Sequence, residues 1–126
     1  MSKEPASPEA VRESRRKVGF QEALTRLPGE RGKRFVTLFT HGSLQLEIYA
    51  PRGVDPQKPH TRDEVYIVVQ GSGEYVCEGA RQKIEPGDFL FAAAGEAHRF
   101  EHFTDDFAVW VLFYGPEGGE TKDLTK

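Results

Sequence analysis

From Arg34 onward the chain is a succession of short segments rich in β-branched and aromatic residues. The segments read RFVTLFT, SLQLEIYA, DEVYIVVQ, GEYVCEG, DFLFAA, HRFEHF and FAVWVLFY. These segments are separated by HG, PRGVDP, GSG, EPGD, AGEA and TDD. The glycine, proline, serine and aspartate residues of these clusters favour turns. Short strands at such even spacing predict an all-β sandwich or barrel.

The region before these segments has a different pattern. Residues 1–18 are polar and dense in charge, which predicts an N-terminal tail. Residues 19–33 predict a short helix and a connection, because apolar residues recur there at helical spacing before the stop at Pro28-Gly29. Those apolar residues are Phe20, Ala23, Leu24 and Leu27. The barrel is then expected over residues 34–116, followed by a C-terminal tail at 117–126.

Length and charge limit the classes of function. A chain of 126 residues suits one domain with a single core. Its formal net charge of −3 gives no electrostatic footprint for nucleic acid or for an anionic membrane. No secretory signal is recognisable, and the longest apolar run, Phe107–Tyr114, is far shorter than the roughly 20 residues that span a bilayer. We therefore expect a cytoplasmic protein.

The one cysteine, Cys77, excludes an internal disulfide. No recognisable Cys/His nucleophile pattern accompanies it. Cys77 is therefore interpreted as a small strand residue.

The segment SLQLEIYA alternates cleanly between two faces. Leu44, Leu46 and Ile48 share one face. Gln45, Glu47 and Tyr49 share the other. Either face could point inward, the polar one if the barrel encloses a polar site.

Histidines stand at the beginning of two predicted strands. In PHTRDEVYIVV, strand alternation places His60, Glu64, Tyr66 and Val68 on one side, provided that the strand is regular there. His98 begins a later strand, after a turn at Gly95. Each of these polar residues alone is typical of a solvated or a packing position. A small barrel, however, would bring neighbouring strand ends together.

The spacing of these residues resembles that of the cupin family. The first cupin motif reads Gly, five residues, His-x-His, three or four residues, Glu, six residues, Gly; here His60, Glu64 and Gly71 match its second half. The second motif reads Gly, five residues, Pro-x-Gly, two residues, His, three residues, Asn; here Gly87, Gly95 and His98 match. The resemblance covers residues 34–115.

The resemblance implies a fold and a metal site. The fold would be a cupin-type double-stranded β-helix, or jelly-roll barrel, with the short helix before it. Carried over residue by residue, the metal ligands would be His60, Glu64 and His98. Two imidazoles and one carboxylate suit Fe²⁺, Zn²⁺, Mn²⁺ or Ni²⁺, and the sequence does not choose among these divalent metals.

The chain also departs from both motifs. Lys58 replaces the first histidine, and a protonated lysine cannot ligate a cation, so it would turn away, lose its proton or bind an anionic substrate. Gln57 could supply an oxygen instead if Pro59 disturbs the strand. Ala93 replaces the motif's proline. His102 replaces its asparagine and shares the face of His98 by parity, as a hydrogen-bonding residue, a proton carrier or an extra ligand.

Three functions remain open. The first is a small metalloenzyme of oxygenase or isomerase type that acts on an oxygen-bearing or anionic organic molecule. The second is a non-catalytic binding or sensing module, and the third is a metal-free structural dimer. The candidates for substrate contact are Lys58, Arg62, Tyr66 and His102. Because FAVWVLFY is apolar on both faces, and because the resemblance implies it, we also expect a homodimer.

Overall fold

A computed structural model describes residues 16–121 and comprises one helix, one 3₁₀ turn and eight strands in that range. Helix α1 is Phe20–Leu24, and the 3₁₀ turn is Glu30–Gly32. The strands are β1 Phe35–His41, β2 Leu44–Tyr49, β3 Asp63–Gln70, β4 Gly73–Cys77, β5 Ala80–Ile84, β6 Phe89–Ala92, β7 His98–Glu101 and β8 Ala108–Tyr114. Residues 1–15 of the predicted N-terminal tail and residues 122–126 of the C-terminal tail lie outside the described residues.

Two antiparallel sheets form the barrel. One has five strands in the order β1-β2-β8-β3-β6, and the other has three in the order β5-β4-β7. The core between them includes Tyr66, Phe100 and Phe107, each at most 1% exposed. Phe100 packs edge-on against both Tyr66 and Phe107, with ring centroids 4.9 Å apart in each pair. The predicted all-β jelly-roll barrel with a short N-terminal helix is confirmed. The domain boundaries stay a prediction.

The polar face of β2 points into the barrel. Tyr49 belongs to the core between the sheets, and Glu47 is only 9% exposed. The apolar face packs outward, since Ile48 is fully buried with Leu38 of β1 and Ala23 of α1. Helix α1 therefore covers the apolar face of β2 from outside the barrel, so the polar face of β2 lines the interior.

Strand β8 lies in the middle of the larger sheet, between β2 and β3. Its inner side contributes Val109 and Val111 to the core. On its outer side the ring of Trp110 meets Phe20 of α1 edge-on, with centroids 5.8 Å apart. Part of the two-sided apolar pattern that predicted a homodimer is thus covered within the chain.

A buried carboxylate, Asp55, ties the loop after β2 to both sheets. Its oxygens accept hydrogen bonds from the hydroxyl of Tyr49 on β2 and from the backbone N–H of Phe100 on β7, the latter at 2.7 Å. They also accept the backbone N–H of Gln57 at 3.2 Å and its side-chain Nε2 at 2.7 Å. The loop that leads to His60 is therefore fixed to the strand that begins with His98.

A second buried carboxylate, Asp63, closes the same end of the barrel. It accepts the backbone N–H of Ala94 at 2.9 Å and that of Glu120 at 2.8 Å. The N–H of Gly118 also donates to the carbonyl of Thr61 at 2.6 Å. Residues 117–121, assigned to the C-terminal tail, thus lie against the entrance of β3.

Gly71, the last residue of the first motif, shows why glycine is needed there. Its φ of +78° lies in the left-handed region, and a Cβ at this position would come within 2.6 Å of the Cα of Phe107. The turn between β3 and β4 can therefore approach the start of β8 closely only without a side chain.

Within residues 16–121, no helix has the length and apolar character needed to cross a bilayer.

Replacing Asp55 by alanine should lower the free energy of unfolding by roughly 3 kcal/mol, because the buried hydroxyl of Tyr49 and the buried N–H of Phe100 lose their acceptors. Chemical denaturation monitored by circular dichroism measures this change. Asp105→Ala, which removes an exposed carboxylate, is the control and should have little effect. Equal stability of the two variants would contradict the role assigned to Asp55.

Glu47→Gln should stabilise the protein, and increasingly so as the pH rises. Burial, with a contribution from the charge of Glu64, raises the pKa of Glu47 above its ordinary value of 4.5, although hydrogen bonds from Gln45 and Thr37 offset part of this shift. The folded state then binds its proton more tightly than the unfolded state, so stability is lost as the pH rises from about 4.5 through the raised pKa. Denaturation of both metal-free proteins at pH 4 and pH 8 tests this, and a difference that does not grow with pH would contradict it.

Candidate metal centre

The candidate site lies in a cavity of about 870 Å³ at the end of the barrel that Asp55 and Asp63 close. Its wall is formed by the start of β1, by the inner face of β2, by the loop between β2 and β3, and by β8. His60 and Glu64 line it, together with Phe113 of β8.

Glu64 enters the site from the second position of β3. It lies opposite Phe113 of β8 and Ala92 of β6, between two strands of the sheet. Alternation along β3 turns Glu64, Tyr66 and Val68 to the interior, as predicted, and the side chain of Glu64 is only 2% exposed. A carboxylate buried to this extent needs compensation by a positive charge or by hydrogen bonds.

His98 faces Glu64 from the first position of β7, with its side chain 1% exposed. Its Nδ1 lies 2.8 Å from the backbone carbonyl of Glu96, to which it donates, so the lone pair of the neutral ring resides on Nε2. That Nε2 lies 3.0 Å from Oε1 of Glu64. Apart from this contact with each other, neither atom has a hydrogen-bond partner within the described residues.

His60 completes the group from the loop before β3. Its Nε2 is 3.8 Å from Oε1 of Glu64, and its ring centroid is 5.5 Å from that of His98. The ring also meets Phe113 edge-on at 5.1 Å. The backbone carbonyl of His60 accepts the N–H of Gly95 at 2.7 Å, which joins this loop to the turn that precedes His98.

The donor set fits a divalent transition metal. One ligand atom from each of His60, Glu64 and His98 lies within 4.8 Å of the others. Two imidazole nitrogens and a carboxylate oxygen are suitable ligands for iron, zinc, manganese or nickel. Buried polar atoms without a partner are rare, and a bound cation would satisfy both Nε2 of His98 and Oε1 of Glu64.

The same pair has a second stable form without a metal. Burial by itself lowers the pKa of His98, but the adjacent Glu64 carboxylate and the Glu96 carbonyl outweigh it and raise that pKa above its ordinary value. In the metal-free protein a proton on His98 would then balance the charge of Glu64. Metal and proton compete for one position.

Gln57 and Tyr66 support the site from one side. The fully buried Tyr66 donates its hydroxyl proton to Oε1 of Gln57 at 2.9 Å, and the same oxygen is 3.3 Å from Nε2 of His60. Burial, followed by the charge of Glu64, raises the pKa of Tyr66 well above its ordinary value, so the hydroxyl remains a donor. An amide oxygen only accepts, so this contact places a proton on Nε2 of His60 in the metal-free protein, and a bound metal would displace that proton. Gln57 thus lies at the site, where the sequence allowed it to supply an oxygen if Pro59 disturbed the strand.

Strand alternation does not extend to the residues before β3. The strand begins only at Asp63, so Lys58, His60 and Arg62 occupy a loop. Lys58 is exposed at the mouth of the cavity. Arg62 also lines the mouth, where Nε donates to the carbonyl of Gly115 at 3.3 Å and an η-nitrogen donates to that of Ser43.

His102 does not lie beside His98, and the parity argument for it is wrong. Strand β7 ends at Glu101, and His102 has a φ of +53°, which breaks the alternation. Its side chain is 74% exposed, with Nδ1 2.8 Å from Glu74. The left-handed backbone of His102 therefore directs its own side chain to the outside of the barrel.

Glu74, Glu101 and His102 form a second group of potential ligand atoms, on the outside of the smaller sheet. Arg81 lies 2.6 Å from Glu74 and 2.8 Å from Glu101, so these carboxylates are already paired with a cation. Exposed ion pairs of this kind contribute little to stability. The group is explained as surface charge pairing.

Cys77 is a half-buried residue at the end of β4 that packs on the core. Its sulfur lies 3.7 Å from a carboxylate oxygen of Glu96, and burial raises the pKa of the thiol. A raised pKa disfavours the reactive thiolate, which agrees with its interpretation as a small strand residue.

Sequence reasoning missed Asp55, which fixes the loop of His60. An aspartate before a proline in a turn cluster looks like any other turn residue, and only contacts across 45 residues, with Phe100, give it its role. The sequence did allow for a buried Glu47, because it lies on the polar face of SLQLEIYA and either face of that segment could point inward.

Comparison with known proteins places the chain in a family. The model of the cupin domain family matches residues 45–114. An uncharacterized protein of Streptomyces coelicolor is 40% identical over 63 residues, which are 50% of this chain and 60% of that protein. The transcriptional activator RhaS of Mannheimia succiniciproducens is 35% identical over 48% of this chain and 22% of its own length. The chain thus spans less than two thirds of the length of these relatives.

Solved structures give the same result for the fold. KdgF of Halomonas sp. superposes with a TM-score of 0.58 at 24% identity, over 66% of this chain and 78% of that protein. A cupin 2 conserved barrel domain protein of Salinispora arenicola gives 0.56 at 22% identity, over 64% and 74%. The DMSP lyase DddQ of Ruegeria pomeroyi gives 0.57 at 25% identity, over 87% and 57%. Since the family model covers more than half of the chain and the barrel is that of cupins, the chain belongs to the cupin domain family.

Proposed function

We propose that the protein is a metal-binding cupin that acts as a small metalloenzyme, of oxygenase or isomerase type, on an oxygen-bearing or anionic organic molecule. The observation that carries this proposal is the pair of buried, unpartnered atoms, Nε2 of His98 and Oε1 of Glu64, beside Nε2 of His60. Such a pair is costly unless its charge is balanced, by a proton on His98 or by a metal ion between the three ligand atoms, and the metal also uses Nε2 of His60.

His60, Glu64 and His98 would hold the metal, which would supply Lewis-acid or oxygen-activating chemistry to a bound molecule. The residues of the chain orient this centre. The carbonyl of Glu96 keeps the proton of His98 on Nδ1, and Tyr66 holds Gln57 next to His60. The cavity in front of His60 and Glu64 leaves room for a small organic ligand.

The identity of the metal belongs to the proposal as well. Iron, zinc, manganese and nickel all accept two imidazoles and a carboxylate, and availability decides among them as much as affinity does. Among the similar structures, DddQ is named as a lyase, which supports a catalytic use of such a barrel. The fold alone does not select a reaction.

The alternative is a non-catalytic binding or sensing domain. Its support is the similarity to the RhaS proteins, which are transcriptional activators and match this chain over about a quarter of their own length. The two functions differ in turnover. If metal-loaded protein incubated with a panel of small carboxylates and sugar acids changes only their NMR line widths and never their chemical identity, the binding function is favoured.

His98→Ala should abolish metal binding and leave the barrel folded, because it removes one of the three ligands. Elemental analysis of protein purified without a histidine tag measures the metal content, and circular dichroism checks the fold. The matched control is His102→Ala, which removes an exposed histidine from the second group. Full metal content in His98→Ala, or its loss in His102→Ala, would contradict the assignment.

A homodimer and a cytoplasmic location remain predictions. Support for the dimer comes from β6, the edge strand of the larger sheet, where Phe89 is 63% and Phe91 43% exposed. An edge strand with exposed aromatic residues can pair with a second copy across a two-fold axis. Light scattering after size exclusion should give twice the chain mass for the native protein and the monomer mass for Phe89→Glu. A monomeric native protein would contradict the prediction.

A further inference from the structure

The mouth of the cavity carries positive charge without balancing carboxylates. Within residues 16–121, the five basic residues that line it form no ion pair with an acidic residue. They are Lys33, Arg34, Arg52, Lys58 and Arg62. In contrast, Arg81 and Arg99 on the smaller sheet are both paired with Glu101. The positive charge of the mouth is therefore not neutralised by a carboxylate within this range, although Arg62 donates to two backbone carbonyls.

Arg34 is fixed both through its backbone and through one side-chain hydrogen bond. Its Nε donates to the carbonyl of Ala50 at 2.8 Å, and its own carbonyl accepts the N–H of Ala50 at 2.9 Å. These two bonds hold the guanidinium over the end of β2. The η-nitrogens make no hydrogen bond with the described residues, so a planar pair of donors remains free.

Arg52 stands two residues beyond Ala50, in the same rim. Its backbone forms a bridge with Val54, while its side chain is exposed and has no hydrogen bond within residues 16–121. Partial burial and then the charge of Arg52 lower the pKa of Arg34 from its ordinary value. The two guanidinium groups thus repel each other, and no described carboxylate relieves this repulsion.

The interior of the cavity has the opposite character. Its buried acidic groups are Glu47, 9% exposed, and Glu64, 2% exposed, and Val111 and Phe113 add apolar surface. Charge is therefore graded along the cavity, from cations at the exposed rim to carboxylates inside. In the metal-free protein this gradient favours a ligand whose anionic end lies at the rim.

We propose that Arg34 and Arg52 form a subsite for an oxyanion group, a carboxylate or a phosphate, at the end of the ligand that lies away from the candidate metal centre. Guanidinium donors match both groups through paired, charge-assisted hydrogen bonds. The role of the subsite in catalysis rests on the proposed function. Its capacity to bind an anion does not, because it requires no metal.

Binding is measured by NMR titration of the metal-free protein at constant ionic strength, followed at the backbone amides of cavity residues. The probes are butyrate, butyramide, which has the same size but no charge, and inorganic phosphate. Arg52→Gln should weaken the binding of the preferred anion by roughly tenfold or more, since it removes charge-assisted hydrogen bonds. Arg34→Gln should have a similar effect, with its fold checked by circular dichroism.

The control Arg99→Gln removes the same charge from the opposite sheet and should leave anion affinity unchanged. Tighter binding of butyrate identifies a carboxylate subsite, and tighter binding of phosphate a phosphate subsite; either supports the proposal. The proposal would be overturned if neither anion bound more tightly than butyramide, or if Arg52→Gln and Arg99→Gln lost the same affinity. A native protein that binds the anion but no metal would contradict the proposed function alone.

Discussion

The polar end of this barrel depends on the buried carboxylate of Asp55. A closed β-barrel has little room for unsatisfied polar groups, and Asp55 resolves this by accepting four donors from three parts of the chain: β2, its own loop and β7. Asp55 thereby helps to set the position of the His60 loop relative to β7, which begins with His98. By comparison, Glu64 is buried more completely, at 2% exposed against 6% for Asp55, yet its Oε1 has no hydrogen bond apart from the contact with Nε2 of His98. The difference between these two carboxylates is the physical basis for assigning structure to one and metal binding to the other.

The orientation of the ligands follows from further contacts around the same end. The carbonyl of His60 accepts the N–H of Gly95, so the loop before β3 and the turn before β7 move together. Asp63 fixes that turn from the other side through the N–H of Ala94. The carbonyl of Glu96 then sets the ring of His98. A centre held by such a network is preorganised, so the proposed ligands need little rearrangement.

The sequence was informative where the structure is regular. The period of two along β3 predicts correctly that Glu64 and Tyr66 point inward, because that strand is regular from Asp63. It does not extend to His60, which precedes the strand, and it fails at His102, whose left-handed backbone follows the end of β7. The alternation of side chains between two faces holds only within a regular strand. In a loop, the direction of a side chain depends on local turns and contacts instead. His60 reaches the site even so, because Asp55 fixes its loop.

Other features had no local signal. Whether the polar or the apolar face of β2 points inward was undecided in the sequence, because the answer depends on α1, which covers Ile48 from outside. The basic residues of the mouth come from the start of β1 and from the loop after β2, and only the fold gathers them. Long-range contacts of this kind carry much of what is specific to this cupin.

X-ray diffraction at the zinc absorption edge, from crystals of the protein loaded with Zn²⁺, tests the central claim most directly. The account predicts an anomalous peak inside the barrel, about 2.0–2.2 Å from Nε2 of His60, Nε2 of His98 and a carboxylate oxygen of Glu64. A peak only at Glu74, Glu101 and His102, or an interior in which His98 and Glu64 pair directly with no metal between them, would contradict it.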